Sequence, residues 1–301
     1  MNNVINKIVS IHTNLFGKNP IIEKINVGFT NTIFTINEKY IIKICSNLNN
    51  ENKFVKEINF YNSNKNNKLI PKLYYSDITK KDIPYMYEII EKVSGVSLFN
   101  VWHKLDESQR EGIIKQLCIA MKQFHSNTSK EYDWSLKTKE LFMNAYNKAK
   151  HLFNENEQLL LEKAYTKFDK YLESDKFVLV HNDLHFDNII YDNGKIKLID
   201  FERSLYAPID FELDIIYRMI RKPWKFASEE TEKYTKLEDY KNIMSYIEKY
   251  YPELIHVDNL YKRLAIYDIV YYLKQYIDYP HINELKEDIL SSTNIVIEND
   301  N

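Results

Sequence analysis

The chain has 301 residues, 44% of them hydrophobic, with a net charge of −2. That is apolar material enough for a substantial core divided between two lobes, and it excludes a disordered chain or a small disulfide scaffold. No apolar run reaches the ~20 residues of a membrane span and residues 1–7 lack a signal-peptide core, so the expectation is a cytoplasmic protein with no membrane, nucleic-acid or obligatory protein partner.

In chain order, residues 21–37 read as two short strands about a turn, rich in β-branched and aromatic side chains. In that turn Gly28 lets the backbone approach a ligand closely, and Thr30 or Asn31 can donate hydrogen bonds to it. Tyr40-Ile41-Ile42-Lys43-Ile44-Cys45 is an apolar strand broken by one lysine, and a buried ammonium needs an anionic partner. Glu57, on the helical stretch 51–61, is the best candidate, and Glu51 is the competitor if the helix is turned differently. Residues 69–75 and 85–90 read as further strands. Cys45 and Cys118 have no metal-site spacing and read as buried thiols.

A helix follows, opened by the capping-box pair Asp106 and Gln109, with Ile113, Leu117, Ala120, Met121 and Phe124 along one face. Residues 139–173 form a second helical region, rich in Lys and Glu, expected at the surface or bordering a cleft. Residues 177–202 hold the most specific pattern of the chain. An apolar strand delivers His181-Asn182-Asp183-Leu184-His185-Phe186-Asp187-Asn188, and Asp192-Asn193-Gly194 is a turn signal that folds 189–191 back on 196–199. Asp200 thereby comes beside Asn188. A carboxylate, an amide five positions later and a second carboxylate after a hairpin are the set needed to orient a hydroxyl and to hold Mg²⁺ for phosphoryl transfer.

These residues, with Ile199-Asp200-Phe201-Glu202, resemble the catalytic segment of the aminoglycoside phosphotransferase and choline kinase-like enzymes, small-molecule relatives of protein kinases. The resemblance implies an α+β, two-lobe kinase-like fold, with a small antiparallel sheet to residue 91 and a mostly helical lobe over 92–301. It implies Asp183 as catalytic base, Asn188 and Asp200 as Mg²⁺ ligands, and Lys43 with Glu57 on the phosphates of ATP or GTP. Gly28 and Asn31 match the family's phosphate loop, although only one glycine is present. Residues 91–98 look like its hinge, where the Glu91 carbonyl and the Val93 N–H would meet the base. After Pro208 the family has a structural Asp, a place that Asp210 and Asp214 fit equally.

His185 stands where protein kinases commonly have lysine, and Asp-Phe-Glu replaces Asp-Phe-Gly, which argues against a protein substrate. Acids outnumber bases after residue 200 and bases outnumber acids before it, a balance that suits a cationic acceptor and an anionic donor. The expected function is phosphorylation of a hydroxyl on a small cationic molecule, an aminoglycoside antibiotic first, with resistance as the consequence. Choline, ethanolamine or another metabolite is the second acceptor, and a non-catalytic nucleotide-binding module is the alternative of another class.

Overall fold

The computed structural model describes residues 1–25, 31–129, 132–174 and 176–298. Its strands, numbered in chain order, are β1 (Ile22–Ile25), β2 (Thr32–Ile36), β3 (Tyr40–Ile44), β4 (Leu73–Asp77), β5 (Tyr87–Glu91), β6 (Val96–Ser97), β7 (Thr128–Ser129), β8 (Phe177–Val180), β9 (Ile189–Asp192), β10 (Lys195–Leu198) and β11 (Leu205–Pro208). The chain divides into two compact units, Met1–Phe124 with His181–Leu205, and His125–Val180 with Tyr206–Asn301.

The first unit is built on an antiparallel sheet of order β1-β2-β3-β5-β4. Alternating β-branched and aromatic residues put Phe34, Ile36, Ile42, Ile44, Tyr87 and Ile89 in its core. Residues 1–20, unassigned by sequence, contribute the helix Asn2–Ile11, whose Ile5 and Ile8 join that core with Phe16. Full burial of one such side chain stabilises by about 1.5–3 kcal/mol. The expected strand over 69–75 is corrected: β4 begins at Leu73 and shifts register before Tyr75. Pro71 has no N–H for a ladder, and the carbonyls of Leu69 and Lys72 accept instead from Leu198 and Glu91.

The helix Glu51–Ser63 buries Phe54, Ile58, Phe60 and Tyr61, and with them Glu57. In the capping box before the helix Glu107–His125, the Gln109 N–H donates to Asp106 and the Asp106 N–H to the Gln109 side chain, both at 2.9 Å. β9 and β10 form a hairpin with Asp192 opposite Lys195. Asn193 and Gly194 both take positive φ, at 48° and 84°, as a two-residue type I′ turn requires. β6 pairs with β9, and Gly95 just before it has φ 121°. A Cβ there would lie 2.3 Å from the Tyr191 carbonyl oxygen, so only glycine permits the approach.

The second unit is helical around a small sheet of order β11-β8-β7. The helical region expected over 139–173 forms as three helices, Trp134–Ala149, Glu155–Tyr165 and Phe168–Leu172. Their charged faces cover a buried one that includes Phe142, Tyr146, Leu161 and Phe168. Later come Leu213–Arg221, Ile243–Tyr250, Leu260–Asp278 and Asn283–Ile297. Leu264, Ile266, Tyr267, Ile269 and Tyr272 are core, whereas Tyr246, Tyr250 and Tyr271 are half-buried and Trp224 is exposed. Among the described residues no helix is long and apolar enough to cross a membrane. The fold is thus α+β, with an antiparallel sheet in the first unit and helices dominating the second.

Candidate active site

Every candidate residue of the sequence pattern lies within the first unit. Lys43, on β3, points from the sheet into the buried face of the helix Glu51–Ser63 and donates to both Glu57 oxygens, at 2.8 and 2.6 Å. The competing acid, Glu51, lies one helix face away and pairs with Lys80 at 2.6 Å. Asp200 Oδ1 is 4.0 Å from the Lys43 amine. Burial by itself depresses the pKa of that amine, but Glu57, Glu88 and Asp200 more than reverse the effect and keep it charged.

The loop after β8 is folded on its own backbone. His185 N–H donates to the Asp183 carbonyl at 3.0 Å, Asn188 N–H to the His185 carbonyl at 2.9 Å, and Ile199 N–H to the Asn188 carbonyl at 3.0 Å. The His181 ring meets the Ile199 carbonyl at 3.0 Å, which binds the two ends of the pattern together. Asn182 and Asp200 sit in the left-handed region, at φ 60° and 66°. Such backbone costs about 1–3 kcal/mol per residue and clusters where geometry matters. Phe201 stacks on Phe60, centroids 4.0 Å apart, and so fastens the loop of Asp200 to the helix that carries Glu57.

Asn188 is 7% exposed, and its amide nitrogen is held by the Asp183 carbonyl at 2.8 Å, which leaves the side-chain oxygen for another partner. Asp200 Oδ1 is buried with no hydrogen-bond partner among the described residues. Two hard oxygens of this kind suit Mg²⁺, which keeps waters and takes phosphate oxygens as its other ligands. Among the described residues no three His, Cys, Asp or Glu side chains converge as a metal cluster, so any such ion would rest on a sparse protein ligand set. The Asp183 side chain is 17% exposed, and the Arg203 guanidinium donates to its Oδ1 at 3.2 Å. Burial pushes the His185 imidazole pKa down against the pull of Asp183 and Asp187.

Glu91 ends β5, its carboxylate paired with Lys197 at 2.6 Å, and Val93 lies in the irregular segment between β5 and β6. Asn31 immediately precedes β2, while Gly28 and Thr30 lie outside the described residues.

A family model described as "Phosphotransferase enzyme family" matches residues 21–243. The chain belongs to that phosphotransferase family. The matched stretch contains all the site residues above. Solved structures similar to this phosphotransferase include the ADP-bound aminoglycoside phosphotransferase APH(2'')-Ib, at 19% identity and TM-score 0.65, with 97% of this chain and 99% of that chain covered. A GDP complex of an aminoglycoside 2'-phosphotransferase-IIIa mutant aligns at 15% identity and TM-score 0.67, covering 97% and 96%. The aminoglycoside phosphotransferase APH(4)-Ia aligns at 15% and TM-score 0.63, covering 97% and 98%. At these identities the likeness is one of fold, and no curated protein matches the chain.

Two residues of this phosphotransferase escaped the sequence reading. Arg203 follows Asp200 by three positions, and nothing local says that it turns back to Asp183. Glu88 is fully buried opposite Lys43 on β5. The signal that singled out Lys43, a charge inside an apolar strand, is present there too.

Proposed function

We propose that this phosphotransferase moves the γ-phosphoryl group of ATP or GTP to a hydroxyl of an aminoglycoside, with antibiotic resistance as the consequence. The observation that carries the reading is the convergence of Lys43, Glu57 and Asp200 beside a loop that ties Asp183 to Asn188. In the proposed reaction Asp183 accepts the proton of the attacking hydroxyl, whose oxygen bonds to the γ-phosphorus while the bond to the bridging oxygen breaks and the nucleoside diphosphate leaves. Arg203 orients the Asp183 carboxylate from one oxygen and leaves the other for the substrate.

Lys43, held by Glu57, places its positive charge on the non-reacting phosphates. Asn188 and Asp200 would hold Mg²⁺, which neutralises phosphate charge when bound. The Glu91 carbonyl and Val93 N–H would read the base through backbone atoms, which is compatible with either nucleotide. Gly28 and Asn31 would cover the triphosphate. A neutral His185 adds no further charge beside Asp183.

The aminoglycoside assignment draws on the acid excess of residues 201–301 and on neighbours whose names carry those antibiotics. The test is Mg²⁺-dependent NTP consumption by the purified chain, with ATP and GTP in parallel, against aminoglycosides, choline, ethanolamine, macrolides and amino-acid alcohols. Stimulation by aminoglycosides is expected. Stimulation by choline or ethanolamine alone would replace the acceptor, in keeping with Asp200-Phe201-Glu202. Nucleotide binding without turnover on any acceptor would favour a module that only binds.

A further inference from the structure

Lys43 has a second buried acid beside it. Register places Lys43 directly opposite Glu88 on the antiparallel pair β3 and β5. Side chains so placed leave the same face of the sheet, with Cβ atoms about 4.5–5.5 Å apart. Glu88 is 0% exposed, like Glu57, and Lys43 is 9% exposed. Neither Glu88 oxygen has a hydrogen-bond partner among the described residues, nor does the buried hydroxyl of Tyr61 on the neighbouring helix. The Lys43 ammonium is thus bonded to Glu57 and has Asp200 Oδ1 at 4.0 Å, while Glu88 faces its strand position unbonded.

An ionised carboxylate buried without a partner is costly, and a native one asks for an explanation. Burial first, and then the charge of Glu57, pushes the Glu88 carboxyl well above its ordinary range, so it keeps its proton while Lys43 faces Glu57. Filling space is a poor account of it. A methyl-bearing side chain would fill the same place without a polar group to satisfy.

We propose that Glu88 is a second positioning residue for Lys43, a reserve counter-ion on the sheet that takes the ammonium when Glu57 is withdrawn or neutralised. The exchange breaks the two hydrogen bonds from Lys43 to Glu57, releases the Glu88 proton to solvent, and forms a Lys43–Glu88 pair. Lys43 and Glu88 ride on adjacent strands joined by their ladder, whereas Glu57 rides on the helix Glu51–Ser63. The sheet pair consequently keeps its spacing whatever that helix does. This inference rests on the reading of Lys43 as a phosphate ligand.

The experiment measures the Kd of a fluorescent Mg²⁺-ATP analogue for the full chain and its Lys43→Met, Glu57→Gln, Glu88→Gln and Glu57→Gln/Glu88→Gln variants. Loss of a charge-assisted contact makes Lys43→Met about 10- to 100-fold weaker. Glu57→Gln should weaken binding by no more than about threefold, because Glu88 takes over, and the double variant should approach Lys43→Met. The effect of Glu88→Gln, small with Glu57 in place, thus becomes large without it, a dependence that a space-filling role does not produce. Glu57→Gln as weak as Lys43→Met, or a double variant no worse than the product of the singles, overturns the inference. Lys43→Met binding as tightly as wild type overturns instead the role given to Lys43. Should the double variant not fold, a crystal structure of Glu57→Gln decides: Lys43 Nζ on a Glu88 oxygen supports the exchange, and Lys43 turned elsewhere refutes it.

Discussion

At the scale of single residues, the site is a set of charges whose meaning depends on which neighbour each one meets. Glu51 and Glu57 are both acids on one helix and both lie near enough in sequence to serve Lys43. Six positions on a 3.6-residue helix turn them to different faces, and Glu57 alone is buried. Asp183→Asn is expected to lower kcat by about 10²- to 10⁴-fold while nucleotide affinity stays within error, because the amide keeps the shape and loses the base. Steady-state turnover with the responding acceptor, beside nucleotide titration, checks both halves. Glu88 carries a pH signature of its own. Its folded pKa lies well above the ordinary 4.5, so the folded chain holds a proton that the unfolded chain releases, and wild-type stability falls as pH rises above that value. Glu88→Gln removes this slope. Its melting temperature should exceed that of wild type at pH 8, and the gap should close toward pH 4.5; a gap constant with pH would mean that Glu88 is ionised in the folded chain.

At the scale of elements, turn chemistry and capping were legible because they are local. Asp106 with Gln109, and Asn193-Gly194 in the hairpin, each need only neighbours within a few positions, and each forms as read. The strand expected over 69–75 forms only from Leu73, because the carbonyls of Leu69 and Lys72 are taken by partners more than a dozen residues away. The helical region expected over 139–173 also buries an apolar stripe, which its abundant Lys and Glu hide in the sequence. Two glycines separate local propensity from tertiary need. Gly112 sits inside the helix Glu107–His125 with nothing within 4 Å of an added Cβ, and Gly112→Ala should stabilise by roughly 0.5–1 kcal/mol. Gly95→Ala should instead destabilise the chain and raise the KM for nucleotide, since β6 must move off Tyr191. Urea denaturation of the two variants, with nucleotide kinetics for the second, measures the contrast.

At the scale of the whole molecule, the second unit is held by ion pairs that join distant segments. Arg263 grips Asp210 with two hydrogen bonds of 2.8 Å and reaches the carbonyls of Tyr171 and Glu173, while Tyr267 donates to the same Asp210. Asp214 pairs with Arg218, four positions along its own helix. Arg263→Leu leaves Asp210 buried without its cation and should cost about 3–5 kcal/mol, read as a shift of the urea midpoint. Asp214 and Asp210 could not be told apart by sequence, because their partners lie 4 and 53 positions away and spacing names neither. What the sequence determined by itself was the chemistry: an acid, an amide, a hairpin and an acid in a row, which spell phosphoryl transfer because each element of that pattern is local. Tertiary structure alone decided that Arg203 returns to Asp183, that Glu88 stands opposite Lys43, and that residues 181–205 pack with the first 124. Those are pairings between segments far apart in the chain, and nothing in the residues on either side of a gap states which of many compatible charges will be its partner until the core between them has closed.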